Sequence, residues 1–152
     1  NTFYSAGANA VFSVAGSVGD GVTAKAREVK KLAIEVDANK DANHPGYILT
    51  SVLKNTEVPV FSISEHYING TLRELWGKEL SYDLASKATG ITDLSVIESF
   101  ILPAGQAKWA EIKSELDVIA EKIASGEIRV TNAQAGEPFD KTALKHLAMP
   151  ND

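Results

Sequence analysis

Cysteine is absent from these 152 residues, and methionine occurs once. The chain therefore holds no disulfide, no thiolate nucleophile and no cysteine-bound metal, and it suits a protein working outside the cytoplasm without a disulfide framework. Histidine is scarce as well. His44, His66 and His146 are scattered, and none stands at metal-ligand spacing from another histidine. No apolar run approaches the roughly 20 residues of a membrane-spanning helix. Excess positive charge is missing: 15 Lys and Arg stand against 20 Asp and Glu, a net charge of -5, which argues against nucleic acid or an anionic membrane as partner. The serines lie outside any G-x-S-x-G elbow. Glu111, Glu115 and Glu121, with Lys108 and Lys122 nearby, fit the solvated face of a helix. No catalytic constellation forms, so the expectation is a binding protein rather than an enzyme, with no resident cofactor or metal.

What the chain does contain is alternation of strand and helix. A length of about 150 residues suffices for one domain that buries roughly two-thirds of its unfolded surface. Asn9–Ala15 is apolar enough for a strand buried on both faces. Asp20–Lys31 reads as a helix capped by Asp20, with Val22, Ala26 and Val29 inward and Lys25, Arg27, Lys30 and Lys31 outward. Leu32–Val36 and Tyr47–Lys54 read as strands around a polar loop, Asp37–Gly46, that contains Pro45-Gly46. Thr56 caps a helix to Ile68, with Pro59 tolerated in its first turn and Asn69-Gly70 as its stop. Leu80–Leu84 and Ser95–Phe100 read as short strands around a turn at Gly90. Ala104–Ala124 is the longest helix, with Trp109, Ile112, Leu116, Ile119, Ala120 and Ile123 on one face. Ile128–Val130 reads as an edge strand, and the polar tail 131–152 carries one short helix at Lys141–Met149. Such alternation builds right-handed βαβ units, so the fold class is α/β, doubly wound, with a mostly parallel sheet.

Two strand ends then lie side by side where open α/β sheets bind ligands. One is the glycine-rich turn Gly16-Ser17-Val18-Gly19-Asp20-Gly21; the other is Asp37, at the end of the next strand. A dinucleotide reading fails on spacing, because the fingerprint is G-x-G-x-x-G and this turn is G-x-x-G-x-G. Asp20 would also place negative charge where a pyrophosphate would sit, at the helix N-terminus. Gly16, Gly19 and Gly21 read instead as turn and close-approach positions next to a ligand.

The residues carry a resemblance. Gly7-Ala8-Asn9-Ala10-Val11-Phe12-Ser13-Val14-Ala15-Gly16-Ser17-Val18-Gly19-Asp20-Gly21-Val22 resembles the segment G-A-D-V-I-F-x-x-A-G-G-T-G-x-G-V of the basic membrane lipoprotein (BMP/PnrA-like) family. Leu32-Ala33-Ile34-Glu35-Val36-Asp37 is similar to its W-x-I-G-V-D. Tyr47-Ile48-Leu49-Thr50-Ser51-Val52-Leu53-Lys54-Asn55 is similar to V-L-T-S-x-x-K-R, and Lys122-Ile123-Ala124-Ser125-Gly126-Glu127-Ile128-Arg129-Val130 to K-I-x-S-G-E-I-x-V. Four blocks in order cover residues 7–130. Three positions depart: Glu35 stands for a glycine, Val18 for a threonine, and Asn39 where an acid is common. The first two flank the expected cleft, where a change bears on which ligand is held.

The resemblance implies a substrate-binding protein of an ABC transporter with the type I periplasmic-binding fold. Such a protein has two lobes, is anchored outside the cell membrane as a lipoprotein, and delivers a purine nucleoside to an ABC permease. This chain would be most of the C-terminal lobe, 1–130. Thr2–Gly7 reads as the last turn of a helix closed by glycine, which implies a further strand and helix before it. By the resemblance, Asp37 accepts hydrogen bonds from the ribose hydroxyls, Lys54 pairs with Asp37 and reaches the same hydroxyls, and Phe12 stacks on the base. Gly16 and Gly19 lie close to the ligand. A ligand-sensing regulatory domain of the same fold is the alternative, with a nucleotide-cofactor enzyme behind it. A lobe without its first strand is expected to expose an apolar edge and to self-associate.

Overall fold

Four strands form one sheet in the order β1 (Ala10–Phe12), β2 (Leu32–Asp37), β3 (Ile48–Lys54) and β4 (Thr89–Ile91). A computed structural model of the chain describes residues 2–132 and 135–138. The first three strands run parallel, and β4 lies antiparallel to β3. Alternate residues of β2 point to opposite faces. Ala33 packs on one face with Ala26 of helix α2 (Gly19–Glu28) and with Tyr4 of the short helix α1 (Thr2–Ser5). Leu32 packs on the other, against Leu94, Ile97 of helix α4 (Ser95–Glu98) and Trp109 of helix α5 (Gln106–Ala124). Helices thus cover both faces of a mostly parallel sheet, as the alternating pattern of the sequence requires.

The elements around the expected cleft stand where the sequence places them. α1 closes with Ala8 N–H donating to the Phe3 carbonyl and Gly7 N–H to that of Tyr4, while Gly7 takes a φ of 98°. That is the glycine-terminated helix end, and the Tyr4 hydroxyl then donates to the Leu32 carbonyl at 2.8 Å. α2 turns Val22, Ala26 and Val29 inward. It starts at Gly19 and ends at Glu28, so Asp20 sits inside its first turn rather than capping it.

Several expectations are corrected. β1 is three residues long, not seven, and Ala10 and Phe12 are exposed rather than buried on both faces. An apolar run records a demand for burial but not the neighbour that meets it, and among the described residues β1 pairs only with β2. Ser95–Phe100 is not a strand, since Ser95–Glu98 is helix α4. Asp93 dictates this, accepting hydrogen bonds on Oδ1 from the Ser95 N–H at 3.0 Å and hydroxyl at 2.7 Å, and that bonding holds its carboxyl below the usual range. Leu80–Leu84 is irregular, and the strand is instead β4, which runs through Gly90 where a turn was expected. Ile128–Val130 forms no strand; the Ile128 N–H caps the end of α5 by donating to the Lys122 carbonyl at 3.0 Å. Helix α3 (Glu57–Ile68) has the expected bounds yet buries no residue. α5 buries Trp109 but leaves Ile112 and Ile119 partly exposed. The helix expected at 141–149 lies outside the described residues.

Candidate functional site

Parallel strands deliver their C-terminal ends to one edge of the sheet, and β2 and β3 end there on Asp37 and Lys54. Lys54 Nζ stands 2.9 Å from Asp37 Oδ1. Both side chains remain open to solvent, at 67% and 48% exposure. Asp37 has a φ of 76°, and the Ala38 N–H donates to the Val36 carbonyl at 3.1 Å. This is a γ-turn with a left-handed central residue, a rare and strained conformation that persists only where its surroundings enforce it. The turn swings the carboxylate out of the sheet at the mouth of the edge.

Behind the turn lies a buried polar network. Glu35, 1% exposed, points from β2 toward α2 and accepts a hydrogen bond from the Thr23 hydroxyl. Lys40 Nζ reaches back from the loop to Glu35 Oε2 at 3.2 Å and to Asp20 Oδ1 at 3.3 Å. The hydrogen bond to Glu35 lifts the ammonium pKa above its ordinary value, against desolvation, with Asp20 adding to the effect. The Lys40 N–H donates to Ser51 Oγ at 3.0 Å, and Ser51 Oγ donates to the buried Asp41 carboxylate at 2.6 Å. Asn39 Oδ1 accepts the Asp41 N–H at 3.1 Å. Glu35 therefore does not flank the cleft, as its place in the motif suggested. It is buried beneath Lys40. Sequence reading passed over Thr23, Lys40, Asp41 and Ser51 entirely. The available signal was one acid, Glu35, between Ile34 and Val36 in an apolar strand, since a buried charge requires a partner.

Phe12 lies apart from the Asp37–Lys54 pair. Its Cα pairs with Ile34, three residues before Asp37, which sets it roughly 10 Å lower along the sheet at the strand rise. It faces the α5 side, where it lines an apolar groove of about 470 Å³ with Ile34, Val52, Ile91, Trp109 and Ile112. The ring is 51% exposed. Gly16 occupies a left-handed turn with a φ of 54°. Gly19 is a close-approach position: a Cβ there would stand 3.1 Å from both Glu35 Oε2 and Ser13 Oγ. Gly21 is neither. A Cβ there would meet open space.

The glycine turn offers no phosphate cradle, because carboxylates of Glu35 and Asp20 already stand at the start of α2. Among the described residues, no group of three or more His, Asp or Glu could hold a metal ion. No described helix is long and apolar enough to cross a membrane.

Comparison with known proteins agrees with the α/β fold. The crystal structure of an ABC transporter system solute-binding protein from Aeropyrum pernix K1 superimposes with a TM-score of 0.59 at 24% identity, over 93% of this chain. This chain spans 44% of that one, so somewhat less than half of the larger protein has a counterpart here. No curated protein matches the sequence. The family model for Bmp, the PnrA-like ABC transporter substrate-binding proteins, matches residues 1–130. Matched over that length, this chain belongs to the Bmp family of PnrA-like ABC transporter substrate-binding proteins.

Proposed function

We propose that this chain forms one lobe of the solute-binding component of an ABC importer and holds a purine nucleoside against a companion lobe. The observation that carries the reading is the Asp37–Lys54 pair, 2.9 Å apart at adjacent strand ends. An exposed ion pair of this kind contributes only about 0–1 kcal/mol to stability. Its chemistry is better matched to a ligand: the carboxylate accepts from two vicinal hydroxyls and the ammonium donates to them, as a ribose requires. Closure of a second lobe would remove water from the pair and strengthen both sets of hydrogen bonds. The half-exposed Phe12 ring supplies an apolar face for the base, and the open turn at Gly16 lets backbone approach the ligand, with Gly19 packed behind it on Glu35 and Ser13. The complete protein then works outside the cytoplasm, tethered by lipid, and hands its ligand to an ABC permease.

Calorimetry of the two-lobed protein with adenosine, guanosine and inosine tests this. Asp37→Ala should weaken binding by about 1.5–3 kcal/mol, the cost of losing hydrogen bonds to a charged group. Unchanged affinity would overturn the assignment.

A further inference from the structure

Asp37 needs something to hold its backbone. A γ-turn with a φ of 76° is unfavourable for any residue with a side chain, so the segments on both sides must enforce it. On the strand side, Val36 and Glu35 belong to β2, and the Glu35 carboxylate is pinned by the Thr23 hydroxyl of α2. On the loop side, Lys40 is tied twice. Its N–H donates to Ser51 Oγ of β3, and its ammonium returns to Glu35 Oε2 and to Asp20 Oδ1. The six residues from Glu35 to Lys40 are thus closed into a loop by a side-chain clasp, with Asp37 near its apex.

Stability alone does not account for the clasp. A buried ion pair is often no more stable than apolar side chains of the same volume, because desolvation offsets the attraction. The charge at Glu35 is therefore better explained by what it fixes in place.

We propose that Glu35 and Lys40 are positioning residues for the Asp37 carboxylate: their ion pair holds the strained turn so that Asp37 stands at the cleft edge beside Lys54 before any ligand arrives. The inference rests on the proposed function for its ligand, but not for its geometry. Preorganisation of this kind removes an ordering cost from binding.

Amide hydrogen exchange on this chain, without ligand, tests the geometry. Lys40→Met leaves Glu35 as a buried charge without its ammonium and risks the fold, so the double variant Glu35→Gln/Lys40→Met, which removes both charges, is measured beside it. In the double variant the acceleration of the Ala38 amide, which closes the turn, should exceed that of amides of α2 and β2 outside the turn by at least about fivefold. Lys40→Arg, which keeps the cation facing Glu35, should retain the slow wild-type exchange at Ala38. A uniform rise at all amides would mean that the pair only stabilises the fold, and unchanged exchange at Ala38 would mean that it holds nothing; either overturns the proposal. In the two-lobed protein the double variant should also bind nucleoside about fivefold or more weakly, with Lys40→Arg near wild type. If the wild-type protein binds no nucleoside, the proposed function fails while the exchange comparison still decides the clasp.

Discussion

Asp37 and Lys54 illustrate how little a pair needs to contribute to the fold in order to matter. Their exposure keeps the direct stabilisation small, so Lys54→Ala should shift the unfolding midpoint hardly at all, by under about 1 kcal/mol, while weakening ligand binding in the two-lobed protein. Denaturant titration alongside calorimetry separates the two effects. Phe12 makes the opposite kind of prediction. Its ring lies some way below the polar pair on an apolar groove, so Phe12→Ala should lower nucleoside affinity by about 1–3 kcal/mol if the base stacks there. A calorimetric loss no larger than that of Phe12→Leu would mean that the ring serves the groove and not a base. Gly46 governs the far end of the site loop. It has a φ of 81°, and a Cβ would stand 2.9 Å from Phe100 Cδ1, so Gly46→Ala should cost more than about 1 kcal/mol in chemical denaturation.

Among the elements, the loop between β2 and β3 shows how charge can take the place of apolar packing. It joins two parallel strands without a helix, using one 3-10 turn at Asp41–Asn43, and its interior contacts are Lys40, Asp41 and Ser51. The Lys40 clasp makes its contribution pH-dependent, with Glu35 of β2 and Asp20 of α2 as the facing charges. Because the ammonium is held above its ordinary value of 10.5, its stabilisation is fully present below that value and is lost as the pH rises through the raised one. Denaturation midpoints of the wild type and of Glu35→Gln/Lys40→Met should therefore differ by a constant amount from neutral pH up to 10.5 and converge above it. Convergence at mildly acidic pH instead would point to another group. The helix that closes the other face behaves differently. Trp109 is the buried anchor of α5, and Trp109→Ala should cost about 3–5 kcal/mol by denaturation.

At the scale of the whole molecule, apolar surface is distributed unevenly. Val60, Phe61, Tyr67 and Ile68 of α3 are exposed, as is Val14 beyond β1, and the Phe12 groove opens on the same sheet whose outer described strand pairs on one side only. Exposed strand edges and apolar patches promote association. Sedimentation of this chain at rising concentration should show dimers or larger species, and a monomer throughout would mean that residues after Val130 cover the surface. The same geometry limits binding. A single lobe offers one wall to a ligand, while binding sites usually enclose most of a small ligand's surface. Adenosine, guanosine or inosine titrated into this chain alone should bind more weakly than the low micromolar range; binding at that level or tighter would contradict a two-lobed site.

The sequence by itself determined the parts that depend on local pattern. Alternation of apolar segments with a 3.6-residue helical period determined an α/β sheet with helices on both faces, and the family resemblance implied that Lys54 would pair with Asp37. Ordered motif blocks identified the family over residues 7–130. Local pattern failed where the deciding partner was distant. Ser95–Glu98 looks like a strand because Val96 and Ile97 are β-branched, but the hydrogen bonds of Ser95 to Asp93 and packing on Trp109 made it a helix. Gly90 looks like a turn, yet pairing with Leu53 made it part of a strand. β1 and α3 look like buried elements, and their exposure is a property of which neighbours surround them. Only the tertiary structure decided that Glu35 lies beneath the site rather than at its mouth, and that Lys40 holds it. A motif records the order of residues along the chain. Whether a carboxylate meets ligand or ammonium depends on which side of the strand it leaves, and on what a loop five residues later brings back.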